Sequence, residues 1–318
     1  MLKIDYPKSF DRNEYYKKIS KKKFYIDKHD ALKDIFIEHP KSQVTIEEIF
    51  NRFKELKKDN FDTFFKNISF KYLLIGNFRT LQKIKERLGT SEEIKKNKSI
   101  SFLFNYTELR ETYISRFFED NLNIFTCYYC NIDYVNSYNV DKKKKNKFTL
   151  DHYYDKATYP YLALSLYNFV PSCYACNSKL KGTKEFSNLS PSATKFDFNE
   201  KVKFKLYLTD SCKDLNIKEK DNIDIQLKER YSHEYKNYIK DFKLNERYQA
   251  HKDIVFEMIQ NAELYPESRL KELQDLTGIP YQEIKKDIFN LINDDANLSK
   301  KPFSKLIKDI SQELGLMP

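Results

Sequence analysis

Apolar residues recur at three- and four-residue spacing through most of the first 120 positions, which predicts a run of amphipathic helices. The clearest are VTIEEIFNRFKELKK (44–58), FRTLQKIKERLG (78–89) and TELRETYISRFFED (107–120). Thr or Ser near the start and Gly89 at an end supply the expected caps. Between 121 and 210 the texture changes to short strands, turns and metal-ligand residue types. FTLDH (148–152) alternates as a strand does, and the heavily charged DKKKKNK (141–147) reads as an exposed loop between two short strands. VKFKLYL (202–208) predicts another strand. After about 215 the pattern returns to helix, in IDIQLKERYSHEYKNYIKDFKL (223–244), YQAHKDIVFEMIQNAE (248–263), SRLKELQDLTG (268–278) and YQEIKKDIFNLIND (281–294). The expected class is therefore α+β. A helical region over 1–120 and another over 211–318 flank a small metal-binding module at 121–210.

At 318 residues, 40% of them hydrophobic, the chain is long enough for two or three folded units. Its formal charge of +10 predicts attraction to polyanions. Much of that charge is local, because positions 141–205 hold 13 Lys and no Arg against 6 Asp or Glu. No run of 18 apolar residues occurs, and MLKIDYPKSFDRNEYYKK lacks the apolar stretch of a signal peptide. A soluble cytoplasmic protein with no membrane partner is expected.

Four of the five cysteines form two CxxC pairs, Cys127/Cys130 and Cys173/Cys176, with 42 residues between the pairs. In a large cytoplasmic protein this pattern predicts a tetrathiolate zinc site rather than disulfides. Four thiolates close the tetrahedron and leave no position for water, so the zinc would be structural. A redox role fits poorly, because no βαβ pattern surrounds either pair. Cys212 lies outside the cluster.

Between the pairs stands Asp151-His152, where a hard oxygen ligand adjoins an imidazole suited to general-base work at neutral pH. Hydrolysis of a phosphodiester needs an activated water and a cation to neutralise developing charge. His29, His39, His233 and His251 have no carboxylate or thiol at ligand spacing, and surface or packing roles are expected for them.

The order C-x-x-C, D-H, N, C-x-x-C-N, K-G, running through Asp151, His152, Asn168 in NFVPSC and Asn177 in CNSKLKG, resembles the HNH endonucleases. The resemblance implies an embedded, zinc-stabilised ββα-metal module. It assigns His152 as general base, and Asp151 and Asn177 as ligands of one catalytic Mg²⁺ or Mn²⁺. Asn168 would fix the loop and orient His152 through a hydrogen bond to its backbone or ring. Lys181 or Lys179 would contact the scissile phosphate; the commonest motif places Lys three residues after the Asn, whereas these fall two and four after.

The stretch YPYLALSLYNFVPSCYACNSKLKG further resembles a bacterial branch of that family, nuclease partners in anti-phage defence such as the Septu-type and certain retron systems. That resemblance covers about 60 residues, 126–185. It implies a partner ATPase of the SMC or ABC type and a DNA substrate, with tRNA or other RNA as the variant. Asp155 stands where many relatives carry Pro. The C-terminal KPFSKLIKDI is similar to the same branch less specifically. A second reading stays open at this point, a non-catalytic zinc knuckle that binds nucleic acid or protein within a larger assembly.

Overall fold

The structure, a computed structural model, describes residues 1–37, 42–141, 143–145, 147–186, 189–212, 217–292 and 295–317. The chain forms two compact units that interleave along the sequence. One comprises Met1–Lys3, Phe125–Asn136 and Asp197–Pro318; the other comprises Ile4–Ile124 and Ser137–Phe196. Every sheet among the described residues is a two-stranded antiparallel ribbon. These are β1 (Lys23–Tyr25) with β2 (Gln43–Thr45), β3 (Tyr138–Val140) with β4 (Lys143–Lys145), β5 (Thr149–His152) with β6 (Phe169–Ser172), and β7 (Val202–Leu208) with β8 (Ile223–Glu229).

In the unit built from Ile4–Ile124 and Ser137–Phe196, the helix Ile46–Glu55 starts at a reciprocal cap. Thr45 Oγ1 accepts from the Glu48 amide at 3.2 Å, and Glu48 Oε2 accepts from the Thr45 amide at 2.6 Å. The helix buries Ile46, Ile49, Phe50 and Phe53. Phe50, Phe53, Phe61 and Phe65 form an aromatic core with ring centroids 4.5–5.5 Å apart, in the tilted and edge-on geometries favoured by the ring quadrupoles. Helix Phe78–Leu88 begins at Asn77 and ends where Gly89 takes φ +66°. The stretch expected as one helix over 107–120 passes through a π-helical turn, Arg110–Ile114, between Tyr106–Leu109 and Ser115–Asn121.

Two expectations in this unit are corrected. The first 120 residues are not wholly helical, since β1 pairs with β2 and sets buried Phe24 opposite buried Val44. Three residues per strand are too few to register as alternation. The basic run at 141–147 is not simply a loop between strands, because Lys143–Lys145 is itself a strand paired with Tyr138–Val140. Asp141, at φ +48°, takes the left-handed conformation that tight hairpin turns use and that Asp tolerates. β3 is exposed at every residue, so no hydrophobic pattern marks the ribbon.

The other unit is organised on β7 and β8. IDIQLKE was expected to begin a helix, but Ile223, Ile225 and Leu227 are buried in alternation and pair in register from Leu208↔Ile223 to Val202↔Glu229. The period of two prevails because β7 offers an antiparallel partner. Along the other edge of β7, carboxylates of helix Ser304–Glu313 take the ladder donors: Asp309 Oδ2 accepts from the Phe204 amide at 2.9 Å and Glu313 Oε2 from the Leu206 amide at 3.1 Å. Helices Lys252–Leu264, Glu267–Thr277 and Tyr281–Phe289 appear near their expected positions.

KPFSKLIKDI docks on Asn131. The Asn131 carbonyl accepts from the Phe303 amide at 2.7 Å, and its side-chain Oδ1 accepts from Ser304 Oγ at 3.0 Å and the Lys305 amide at 3.2 Å. Lys305, fully buried, is paired with Asp309 at 2.9 Å, and burial lowers its pKa. Among the described residues no helix is long and apolar enough to cross a membrane.

Candidate active site

The site is built on a strand–strand–helix segment. β5 pairs with β6 in the register Thr149↔Ser172, Leu150↔Pro171, Asp151↔Val170 and His152↔Phe169. The π-helical segment Ala175–Lys181 follows β6 at once. It ends where Gly182, at φ +53°, donates its amide to the Asn177 carbonyl at 3.1 Å. Insertions of this wide-turn kind recur at functional sites, because they re-aim side chains. Two polar links tie the segment to the strand. Asn177 Nδ2 donates to Thr149 Oγ1 at 2.9 Å, and Lys181 Nζ donates to the His152 carbonyl at 2.9 Å.

His152 closes β5 with its ring buried edge-on against Tyr106 and Phe169, at centroid distances of 4.5 and 4.9 Å. Its Nε2 lies 3.0 Å from the Ala163 carbonyl. A carbonyl can only accept, so Nε2 carries the proton and Nδ1 keeps the lone pair. Burial pushes the imidazole pKa down to about 3, and the nearby Lys156 and Lys181 push the same way against the Ala163 bond and Asp155. The ring is therefore neutral near pH 7, with a fixed tautomer and one basic nitrogen.

The connection between β5 and β6 is held by Asn168, which is fully buried. Its Oδ1 accepts from the Tyr154 amide at 2.8 Å, while its Nδ2 donates to the carbonyls of Tyr154 and Leu162 at 3.0 and 3.1 Å. These bonds go to Tyr154 and Leu162 rather than to the expected backbone or ring of His152. They fix the chain two residues beyond His152 and one residue before Ala163, whose carbonyl receives Nε2. Asp155 stiffens the start of the same loop, its Oδ2 accepting from the amides of Ala157 and Thr158 at 3.1 and 2.9 Å. A carboxylate turn thus restrains this position.

Asp151 is buried beside Lys181, Oδ2 to Nζ 3.1 Å. Lys181 has 1% of its surface exposed and is held by Asp151 and the His152 carbonyl, which suits it to positioning rather than to reaching a phosphate. Lys179 is exposed.

Asp151, His152 and Asn177 line one cleft of about 480 Å³ with Tyr106, Arg110, Lys156 and Tyr174. These last four were not foreseen. Tyr106 and Arg110 come from the helical region more than forty residues earlier, with no local motif to mark them. Lys156, its Nζ 5.0 Å above the Tyr106 ring, and the exposed Tyr174 sat in plain view beside the motif.

The Sγ atoms of Cys127, Cys130, Cys173 and Cys176 all lie within 4.8 Å of one another and are buried. Zinc–thiolate bonds of about 2.3 Å set sulfurs about 3.8 Å apart on a tetrahedron, so the donor set fits zinc. The amides of Ile132 and Cys176 point at Cys130 Sγ and Cys173 Sγ, at 3.4 and 3.5 Å, and would offset thiolate charge. Cys212 is half-buried and lies outside the cluster. His29 packs edge-on to Phe24 and Phe102, His251 rests on Phe303 and His233 is exposed, whereas His39 lies outside the described residues. No protein-family model, curated protein or solved structure matches this chain.

Proposed function

We propose that the chain is a metal-dependent endonuclease of the HNH type that hydrolyses phosphodiester bonds in nucleic acid. The observation that carries this reading is the single cleft lined by His152, Asp151 and Asn177, at the end of a hairpin followed directly by a helical segment. A module that only bound a partner would have no use for an imidazole locked in one tautomer beside two hard-oxygen side chains.

In this mechanism His152 Nδ1 takes the proton of the attacking water while the Ala163 carbonyl holds Nε2–H. A phosphate bound in the cleft favours the imidazolium electrostatically and so raises the low pKa of the ring toward the working range. Asn168 keeps the strand end and the Ala163 carbonyl in register, and Lys181 orients Asp151. The two oxygen donors, Asp151 and Asn177, fit Mg²⁺ or Mn²⁺, ions that keep most of their ligands as water and phosphate. When bound, such an ion supplies charge neutralisation at the phosphate and the leaving oxygen. Arg110, Lys156 and the exposed Lys179 are the cationic groups at or near the cleft that would steady the strand. Zinc on the four cysteines has a structural part only.

DNA is the substrate proposed first, with tRNA as the variant. A role in anti-phage defence under a partner ATPase is proposed on the sequence resemblance of residues 126–185 alone. The test incubates purified protein with plasmid, single-stranded DNA and bulk tRNA, each with Mg²⁺, with Mn²⁺ or with neither. The reading requires metal-dependent cleavage of at least one substrate, lost in Asn177→Ala with its zinc retained. Binding without cleavage under every condition would leave the knuckle reading in its place.

A further inference from the structure

A second cleft, of about 510 Å³, lies in the same unit as the candidate active site but shares no lining residue with it. Arg12, at the start of helix Arg12–Ser20, and Lys71, on helix Phe70–Ile75, both line it. No Asp or Glu does. Arg12 and Lys71 thus bring two like charges to the lining of one cleft that has no carboxylate in it, and a bound anion lowers that electrostatic cost. Lys71 makes a cation–π contact with Tyr16 at 5.5 Å, and Arg12 bonds the Tyr167 hydroxyl. Neither contact neutralises a charge.

The rest of the lining suits the organic part of a nucleotide. Tyr72, 63% exposed, presents an aromatic ring at the cleft, and Asn13 and Ser69 supply hydrogen-bonding groups. The volume lies inside the range of roughly 300–1,000 Å³ usual for small-ligand sites.

The walls are also fixed in advance. The Leu73 carbonyl receives Ser165 Oγ at 2.5 Å, and Phe78, at the start of the next helix, stacks on Tyr154 at 5.3 Å. Gly76 makes the sharp joint between the two helices, where a Cβ would fall 2.5 Å from the Tyr72 carbonyl oxygen. A ligand entering a pre-formed cleft loses less affinity to ordering the protein.

We infer that this cleft binds a phosphate-bearing nucleotide, with Arg12 and Lys71 on the phosphates and Tyr72 against the base. The phosphates could come from a free mononucleotide or from a nucleic-acid strand. The test is isothermal titration of the zinc-replete protein, without added divalent cation, by ATP, by AMP and by a single-stranded oligothymidylate. Arg12→Gln, Lys71→Gln and Tyr72→Ala are compared with wild type, each first checked for an unchanged circular dichroism spectrum.

A free-nucleotide site predicts saturable binding of ATP, stronger than that of AMP, weakened about tenfold or more by either charge removal and also by Tyr72→Ala. A strand-binding site predicts that the oligothymidylate alone binds and that the same three substitutions weaken it. If no probe binds, or if all three variants bind as wild type does, the inference is wrong. No cleavage is measured, so the outcome stands apart from that of the nuclease reading.

Discussion

Asn168→Ala removes three buried hydrogen bonds at one stroke, one accepted from the Tyr154 amide and two donated to the carbonyls of Tyr154 and Leu162. Asn168 has no exposed surface, so water does not replace the lost partners without local rearrangement. An unpaired buried polar group costs about 1–3 kcal/mol, and partial relaxation keeps three from adding fully, which sets the expected loss at about 3–5 kcal/mol. The loss falls first on the connection between β5 and β6. Native-state hydrogen exchange reads it directly, because the Tyr154 amide itself bonds Asn168 Oδ1. Under conditions where exchange reports the opening equilibrium, its protection is expected to fall by at least about a hundredfold, the equivalent of 2.7 kcal/mol at 1.36 kcal/mol per decade. Asn168→Asp tests the same logic, since it keeps the acceptor but turns a carboxylate toward two carbonyls, and it is expected to protect Tyr154 no better than Ala does. Wild-type protection in Asn168→Ala would refute the assignment of Asn168 as the clamp of this loop.

Cys173→Ser is expected to lower bound zinc from one equivalent toward none by elemental analysis, whereas Asn177→Ala keeps the full equivalent; a folded wild-type protein without zinc would remove the structural-metal claim. Lys181→Met removes the ammonium 3.1 Å from buried Asp151 and is expected to destabilise by about 3–5 kcal/mol in zinc-replete, magnesium-free urea denaturation. Unchanged stability there would show that the pair does not hold the site. His152 has a folded pKa of about 3 against about 6.5 unfolded, so its contribution is whole above pH 6.5 and is lost as pH falls toward 3. Between pH 6.5 and pH 5 that amounts to about 2 kcal/mol. His152→Gln is expected to flatten this part of the pH–stability curve, and an unaltered slope would count against the buried neutral ring.

What the sequence made legible was local. The Thr45–Glu48 cap, the glycine end at Gly89 and the strand over Val202–Leu208 each declare themselves within a few residues, and each is present. Ile223–Glu229 was misread because IDIQLKE satisfies a period of two and, within a longer window, a helical stripe; only the existence of β7 as a partner decides between them. The site divides in the same way. Asp151, His152, Asn168 and Asn177 stand close in sequence, and their order alone suggests a site. The lining by Tyr106 and Arg110 depends on packing against a distant helical segment. The role of Lys181 was open in the sequence, because whether a lysine about one turn beyond Asn177 points to solvent or into the core is settled by tertiary contacts. Its burial against Asp151 leaves the exposed Lys179 better placed for the phosphate contact that the proposed function requires.

The central claim is that His152 is the base of a metal-dependent phosphodiester cleavage, and the direct test is single-turnover cleavage by wild type and His152→Ala, at equal zinc content and saturating Mg²⁺ or Mn²⁺. Loss of a positioned general base costs about 10²–10⁴ in rate, and a fall of that size with substrate binding retained is the predicted result. Equal rates for the two proteins would contradict the account.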